Sequence, residues 1–332
     1  MVKWRNYLLE ILFLPIIAVV LAIFLMDKTV DFSSFHLAAS PRLLDVKTLF
    51  LSILLEAIPF VLLGVFFSAF IQTFVRDEQV RRWTPKNPLI AIPFAALLGF
   101  LFPVCECAIV PIVRRLILKG MPVYVGIVFL LAGPVINPVV MAATYMAFPA
   151  QPDMVLHRSL IAALVAVSTG ALVKIFLKRN PLKWGAELGI EHEARHDEAN
   201  RGKLGAVFRH AVDEFFDMGK YLIFGALVSA VLQVYFSREI LTAVGQTPVY
   251  SHLAMMGLGF VFSLCSEADA FIAASFANTF SKGSLVAFMV FGPMIDFKNT
   301  LMLLSVFRFP FVAKLIAVVF TLVLAFTLFL PM

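Results

Sequence analysis

Three cysteines and a small set of acids could do chemistry in this chain, and they fall in a few short stretches. Cys105, Glu106 and Cys107 lie in PVCECAIVP, residues 103–111, with Pro103 and Pro111 at its ends. Cys265, Ser266, Glu267 and Asp269 lie in SLCSEADA, residues 263–270. Asn137 and Asp296 each follow a Gly-Pro pair, Gly133-Pro134 and Gly292-Pro293. Thiolates are nucleophiles and soft-metal ligands. Three sulfurs suit a trigonal trivalent metalloid, and sulfur with carboxylate suits Zn²⁺. Cys105, Cys107 and Cys265 are therefore the candidate metal ligands, and all nine residues together are the candidate substrate-binding set. A helix would set Cys105 and Cys107 about 200° apart, whereas an irregular segment can aim both sulfurs at one centre.

The elements that position these residues lie in a membrane. The chain is 61% hydrophobic and only 14% charged, with mean hydropathy +0.95, where soluble domains carry about 25% charged residues. That excludes a soluble globule and predicts an all-α polytopic protein of the cell membrane. The net charge of +6 reads as loop lysines and arginines, not as a nucleic-acid surface. Cysteines confined to two segments argue against a disulfide framework. Residues 1–26 combine a basic start with an apolar run about as long as a span, without a small-x-small cleavage site directly after it, so they read as an uncleaved first span.

Further apolar segments fall at 49–75, 89–118, 121–147, 157–178, 211–236, 251–281, 284–305 and 309–330. Two are interrupted, 89–118 around residues 103–111 and 251–281 around 263–270, and each half is short of the roughly 20 residues that a span needs. Re-entrant hairpins fit them best, with two tilted spans as the alternative. The lysines and arginines then gather at one face, which puts the N-terminus in the cytoplasm. Proline removes a backbone donor, and broken backbone at membrane depth must be buried in protein or line a cavity. An ionisable residue there, such as Glu106, marks a functional site. Gly133-Pro134 lies about 18 Å into its span and Gly292-Pro293 about 12 Å, at 1.5 Å per residue, so both breaks fall near the middle of a hydrocarbon core about 30 Å thick.

Residues 54–72 and 215–233 share a pattern in which Glu56, Gly64, Ser68 and Gln72 match Asp217, Gly225, Ser229 and Gln233. Cys105 matches Cys265 and GPVIN matches GPMID, all about 160 residues apart. An odd number of crossings separates the two starts, so the repeats are expected to be inverted, with broken hairpins meeting near the midplane, as in repeat-built transporters. The organisation that follows is a first span with its external loop (1–48), repeat 1 (49–178), a cytoplasmic linker (179–210), repeat 2 (211–305) and a last span (306–332). Glu56 and Asp217 lie early in their spans and are equally readable as functional or as interface groups. Lys220 and Lys298 read as neutralising Asp217 and Asp296. The linker contains His192 and His196 in a formal H-E-x-x-H match, but it is polar all round and reads as a solvated linker or, at most, an accessory metal-binding loop.

On CECAIVP…LILKG, LLAGPVINPVV and C-S-x-x-D-A-F-I-A…GPMIDFKNTLML, the sequence resembles the predicted permease family that includes organoarsenical efflux permeases. The resemblance covers most of 49–305. It implies membrane transport of a small solute and, for the arsenical members, thiol binding and export of trivalent organoarsenicals, with the cysteine pair carried over to Cys105 and Cys107. Family members more often carry Ser where this chain has Glu106, and GVVP where it has AIVP. The added carboxylate favours a cationic substrate. The expected function is a secondary transporter for a thiophilic metal or metalloid species, not an enzyme and without a cofactor. An importer of a sulfur-containing anion and a membrane thiol-redox protein are the alternatives. The partners expected are membrane lipid and a small-molecule or ion substrate, with no nucleic acid; a homo-oligomer is compatible with the sequence.

Overall fold

A computed structural model describes residues 41–85, 87–102, 104–177, 181–182, 203–235 and 248–329. The expected first span, Pro103, His192, His196 and most of the linker lie outside the described residues. Residues Met1–Asp45 and Val46–Met332 cluster as separate units, and the fold below is that of the second. Among the described residues the chain is nearly all helical, and its one extended pairing is an isolated antiparallel bridge, Leu182 to Phe307.

The first half holds α1 (Pro41–Phe74), α2 (Asp77–Trp83), α3 (Pro88–Leu101), α4 (Glu106–Leu118), α5 (Val123–Ala132), α6 (Pro138–Ala147) and α7 (Asp153–Phe176). The second holds α8 (Lys203–Tyr235), α9 (Pro248–Phe262), α10 (Ser266–Ser275), α11 (Lys282–Met294), α12 (Phe297–Val306) and α13 (Phe309–Phe329). Among the described residues, five stretches are long and apolar enough to cross a membrane: Leu44–Phe74, Asp153–Phe176, Val207–Tyr235, Lys282–Val306 and Phe309–Phe329. In an 18-residue apolar window of Lys282–Val306, 83% is buried inside the protein, against 28% to 35% in the corresponding windows of the other four. Lys282–Val306 is the central element, and the others present apolar faces such as Leu55, Leu63, Phe66 and Phe176 to the lipid.

The helix ends follow local chemistry. Asn87 and Asn137 cap α3 and α6, each followed by proline at the first helical position, where the missing N–H costs nothing. Asp296 caps α12 and Ser281 caps α11. The breaks are narrower than the sequence suggests. α3 ends at Leu101, α4 begins at Glu106, and α4 runs on through Pro111. The second break ends before Ser266, where α10 begins. Gly133 and Pro134 do lie in the turn between α5 and α6, but Gly292 and Pro293 stay inside α11 and its break falls at Ile295 and Asp296. A proline inside a helix deletes one bond to the carbonyl four residues back, and neighbouring helices make that tolerable in a membrane.

Residues near the two ends of each interrupted segment approach one another. Lys119, just past α4, donates to Val75 O at 2.7 Å and meets Asp77 at 3.4 Å. A Cβ on Gly283, which follows the second hairpin, would lie 2.8 Å from the His252 ring near its start. The two halves also repeat their packing. α3 packs on α5 and α5 on α7, as α9 packs on α11 and α11 on α13. A Cβ on Gly99 would come 2.8 Å from Gly133 N, and one on Gly259 would come 3.3 Å from Gly292 Cα. Each glycine thus lets an outer helix lie against the backbone of a broken one. Across the halves, α4 packs on α12 and α10 on α6.

Candidate functional site

The second helix of each hairpin begins at the point where the halves meet. Cys105 is the N-cap of α4 at φ −71°, ψ 165°, and Cys265 is the N-cap of α10 at φ −75°, ψ 155°. Neither makes a side-chain cap bond. Glu106 is the first residue of α4 and is buried, as is Cys107, whose Sγ lies 4.0 Å from Glu106 Oε1. Cys105 is half-buried. Cys107 therefore belongs to the helix and Cys105 to the irregular segment before it.

Lys298 joins the two hairpins. Its Nζ lies 3.3 Å from Glu106 Oε1 on α4 and donates to Ser263 O at 3.4 Å in the second break. Its own sequence neighbour, Asp296 Oδ2, stands farther off at 4.0 Å. Lys298 was expected to neutralise Asp296; it serves chiefly the other half's glutamate. Gly225 makes this possible, because a Cβ there would come 3.1 Å from Lys298 Cα, so α8 lies directly against α12. The matched Gly64 of α1 lies against Ala108 of α4, where a Cβ would approach to 2.6 Å.

The second hairpin has a cation of its own. Arg158 of α7 is 1% exposed and donates to Thr144 Oγ1 at 2.7 Å and to Ser266 O at 2.8 Å. Its charge acts on Asp269 and Glu267. The first residue of each second hairpin helix, Glu106 or Ser266, is thus held by a buried cation from the opposite half.

The remaining candidates cap or close the breaks. Asn137 accepts from Val140 N at 2.9 Å and donates to Gly133 O at 3.0 Å. Asp296 accepts from Asn299 N. Ser266 donates to Glu267 at 3.3 Å, and Asp269 is buried with Oδ2 lacking a hydrogen-bond partner among the described residues. Cys265 Sγ donates to Glu56 Oε1 at 2.6 Å, across the two halves. The matched Asp217 side chain lies outside the described ones. Among the described residues no group of three or more His, Cys, Asp or Glu side chains is set to hold a metal ion.

Sequence reasoning left out Arg158, Thr144 and Ser263, and gave Lys298 and Glu56 lesser roles. A charged residue within an apolar run, as Arg158 is in 157–178, was the available signal. Thr144 and Ser263 gave none, since they act only through hydroxyl and backbone carbonyl groups that any serine or threonine carries.

The family model described as "Predicted permease" matches residues 42–331, which takes in both hairpins and all four breaks. The chain belongs to this predicted permease family. The "UPF0718 protein YcgR" of Bacillus subtilis (strain 168) is 48% identical over 289 residues, covering 87% of this chain and 98% of that protein. A Streptococcus mutans serotype c protein named "Putative two-component membrane permease complex subunit" is 42% identical over 281 residues, covering 85% of this chain and 92% of its own length. No solved structure matches this permease. The family and the apolar helices together make it a multi-pass membrane protein of transporter type.

Proposed function

We propose that this permease is a secondary transporter that carries a small thiophilic solute, a metal or metalloid species, through the region where its breaks meet. The observation that carries the reading is the reach of Lys298 from the α11–α12 break to Glu106 of one hairpin and Ser263 of the other. Broken helices with ionisable side chains at their ends are how repeat-built transporters make solute sites. Cys105, Glu106, Cys107, Asn137, Cys265, Ser266, Glu267, Asp269 and Asp296 are the binding set, with the three cysteines as soft ligands. Cys265 would have to leave Glu56 to ligate. Purified protein with Cys105→Ser or Cys107→Ser should bind a trivalent organoarsenical or Zn²⁺ about tenfold more weakly, equivalent to ~1.4 kcal/mol. Cys265→Ser should cost less, because Glu267 and Asp269 stay as alternative ligands. Unchanged binding after removal of both Cys105 and Cys107 would remove the thiophilic substrate and leave the permease.

The same reading makes the halves inverted repeats. The matched N-caps, the Gly99 and Gly259 approaches and the crossed α4–α12 and α10–α6 contacts support it. Repeat 2 then extends beyond residue 305 to include α13, the counterpart of α7. With the N-terminus cytoplasmic, accessibility tags at 76–88 and 119–121 should both report the cytoplasm and a tag at 148–156 the outside. Tags at the first two sites on opposite faces would end the hairpin model. The Streptococcus relative's name, as a complex subunit, supports assembly with a second membrane component.

A further inference from the structure

The ammonium of Lys298 sits among oxygens supplied by three separate chain breaks. Glu106 Oε1 comes from the first hairpin at 3.3 Å, Ser263 O from the second at 3.4 Å, and Asp296 Oδ2 from the α11–α12 break at 4.0 Å. All four residues are at most 3% exposed. Ser263 has φ 48°, and no other described non-glycine residue has a positive φ. That conformation disfavours a Cβ and persists only where the surroundings over-determine it. Here Lys298 holds Ser263 twice, through Nζ to its carbonyl and through the Lys298 backbone N–H to its Oγ at 3.3 Å. Glu106 Oε2 is a further buried oxygen, and neither it nor Asp296 Oδ2 makes a hydrogen bond among the described residues. Two carboxylates thus face one ammonium, with acceptor capacity to spare.

Carboxylate and carbonyl oxygens are the donors that hard cations take. We infer that this pocket has the donor set of a site for a small hard cation such as Na⁺, and that Lys298 fills it in place of the ion. The inference rests on the reading of the breaks as the solute site and adds what balances that site when it is empty. Buried carboxylates without a counter-charge are strongly destabilising. A carrier that must change conformation unloaded needs them neutralised, either by a coupling ion taken from solution or by a cation that it carries itself. A tethered ammonium makes this permease independent of a coupling metal cation.

Lys298→Ala removes the ammonium and opens its volume. Purified in choline chloride, this variant should bind radiolabelled Na⁺ about tenfold more tightly than the wild type, and its melting temperature should rise with NaCl while that of the wild type does not. Adding Glu106→Gln should abolish the gain. A folded, monodisperse Lys298→Ala protein indifferent to Na⁺, K⁺ and Ca²⁺ overturns the proposal, as does a gain that survives Glu106→Gln. Should Lys298→Ala fold in no salt, Glu106→Gln/Lys298→Met decides, because it keeps the net charge of the pocket. Recovery of the fold supports charge balance as the role of Lys298, and failure overturns it. Na⁺ binding is read on protein in detergent, so a negative result leaves the Cys105 and Cys107 solute assay untouched.

Discussion

Replacing Arg158 with Met should lower the melting temperature of the detergent-purified protein by about 10 °C, from a loss of ~3–5 kcal/mol at the few degrees per kcal/mol expected of large domains. Arg158 is buried, and its two terminal nitrogens go to different elements, one to Thr144 of α6 and the other to Ser266 O at the start of α10. The methionine fills much of the volume but supplies no donor, so Ser266 O and the Thr144 hydroxyl lose a partner. Asp269 also loses the cation that acts on it, and one of its oxygens has no hydrogen-bond partner to fall back on. Removing one member of a buried charge pair costs more than the pair contributed, because the other charge stays desolvated. Lysine should rescue only part of the loss, since one ammonium cannot reproduce the guanidinium fork. Arg158→Met/Asp269→Asn should recover stability relative to Arg158→Met. A melting shift of less than about 3 °C for Arg158→Met, equivalent to ~1 kcal/mol, would show that Arg158 does not hold the second hairpin.

The second large effect is expected at Glu214. This buried glutamate of α8 takes a hydrogen bond from Ser68 of α1 at 2.9 Å and faces two guanidiniums at the end of α4, Arg115 at 3.3 Å and Arg114 at 3.6 Å. Glu214→Ala leaves two adjacent like charges with no acid between them. Arg115 is itself buried, so water cannot replace the carboxylate fully. The expected cost is again ~3–5 kcal/mol, read as a melting shift of similar size. Because the cluster is shielded, raising the ionic strength should change the wild-type melting temperature little, whereas exposed pairs are screened within about a Debye length. Arg114→Ala alone should cost less, since Arg115 remains on Glu214. Equal melting of Glu214→Ala and wild type would mean that α8 is held to α4 and α1 by apolar packing alone.

The sequence by itself determined that the chain is a membrane protein, where the long apolar helices among its described residues run and that its two halves share a pattern. Hydropathy is a sum over local residues, and Gly-Pro pairs, Asn137 and Asp296 act within a few residues of where they stand, so composition and spacing suffice to read them. The same locality made the breaks legible in place but not in width. Whether Pro111 ends a helix depends on whether packing around α4 offsets one missing bond, and Ala108 against Gly64 lies in a different part of the chain. Only the tertiary structure decided which charges meet. Glu106 and Lys298 are 192 residues apart, Arg158 and Ser266 108, and Cys265 and Glu56 209. From sequence, Asp296 was the natural partner of Lys298 because it is two residues away. In the fold, the side chains follow the directions in which their helices leave the breaks, and Lys298 turns toward the opposite half. In a medium without water to compensate a buried charge, that direction fixes which carboxylate the ammonium serves.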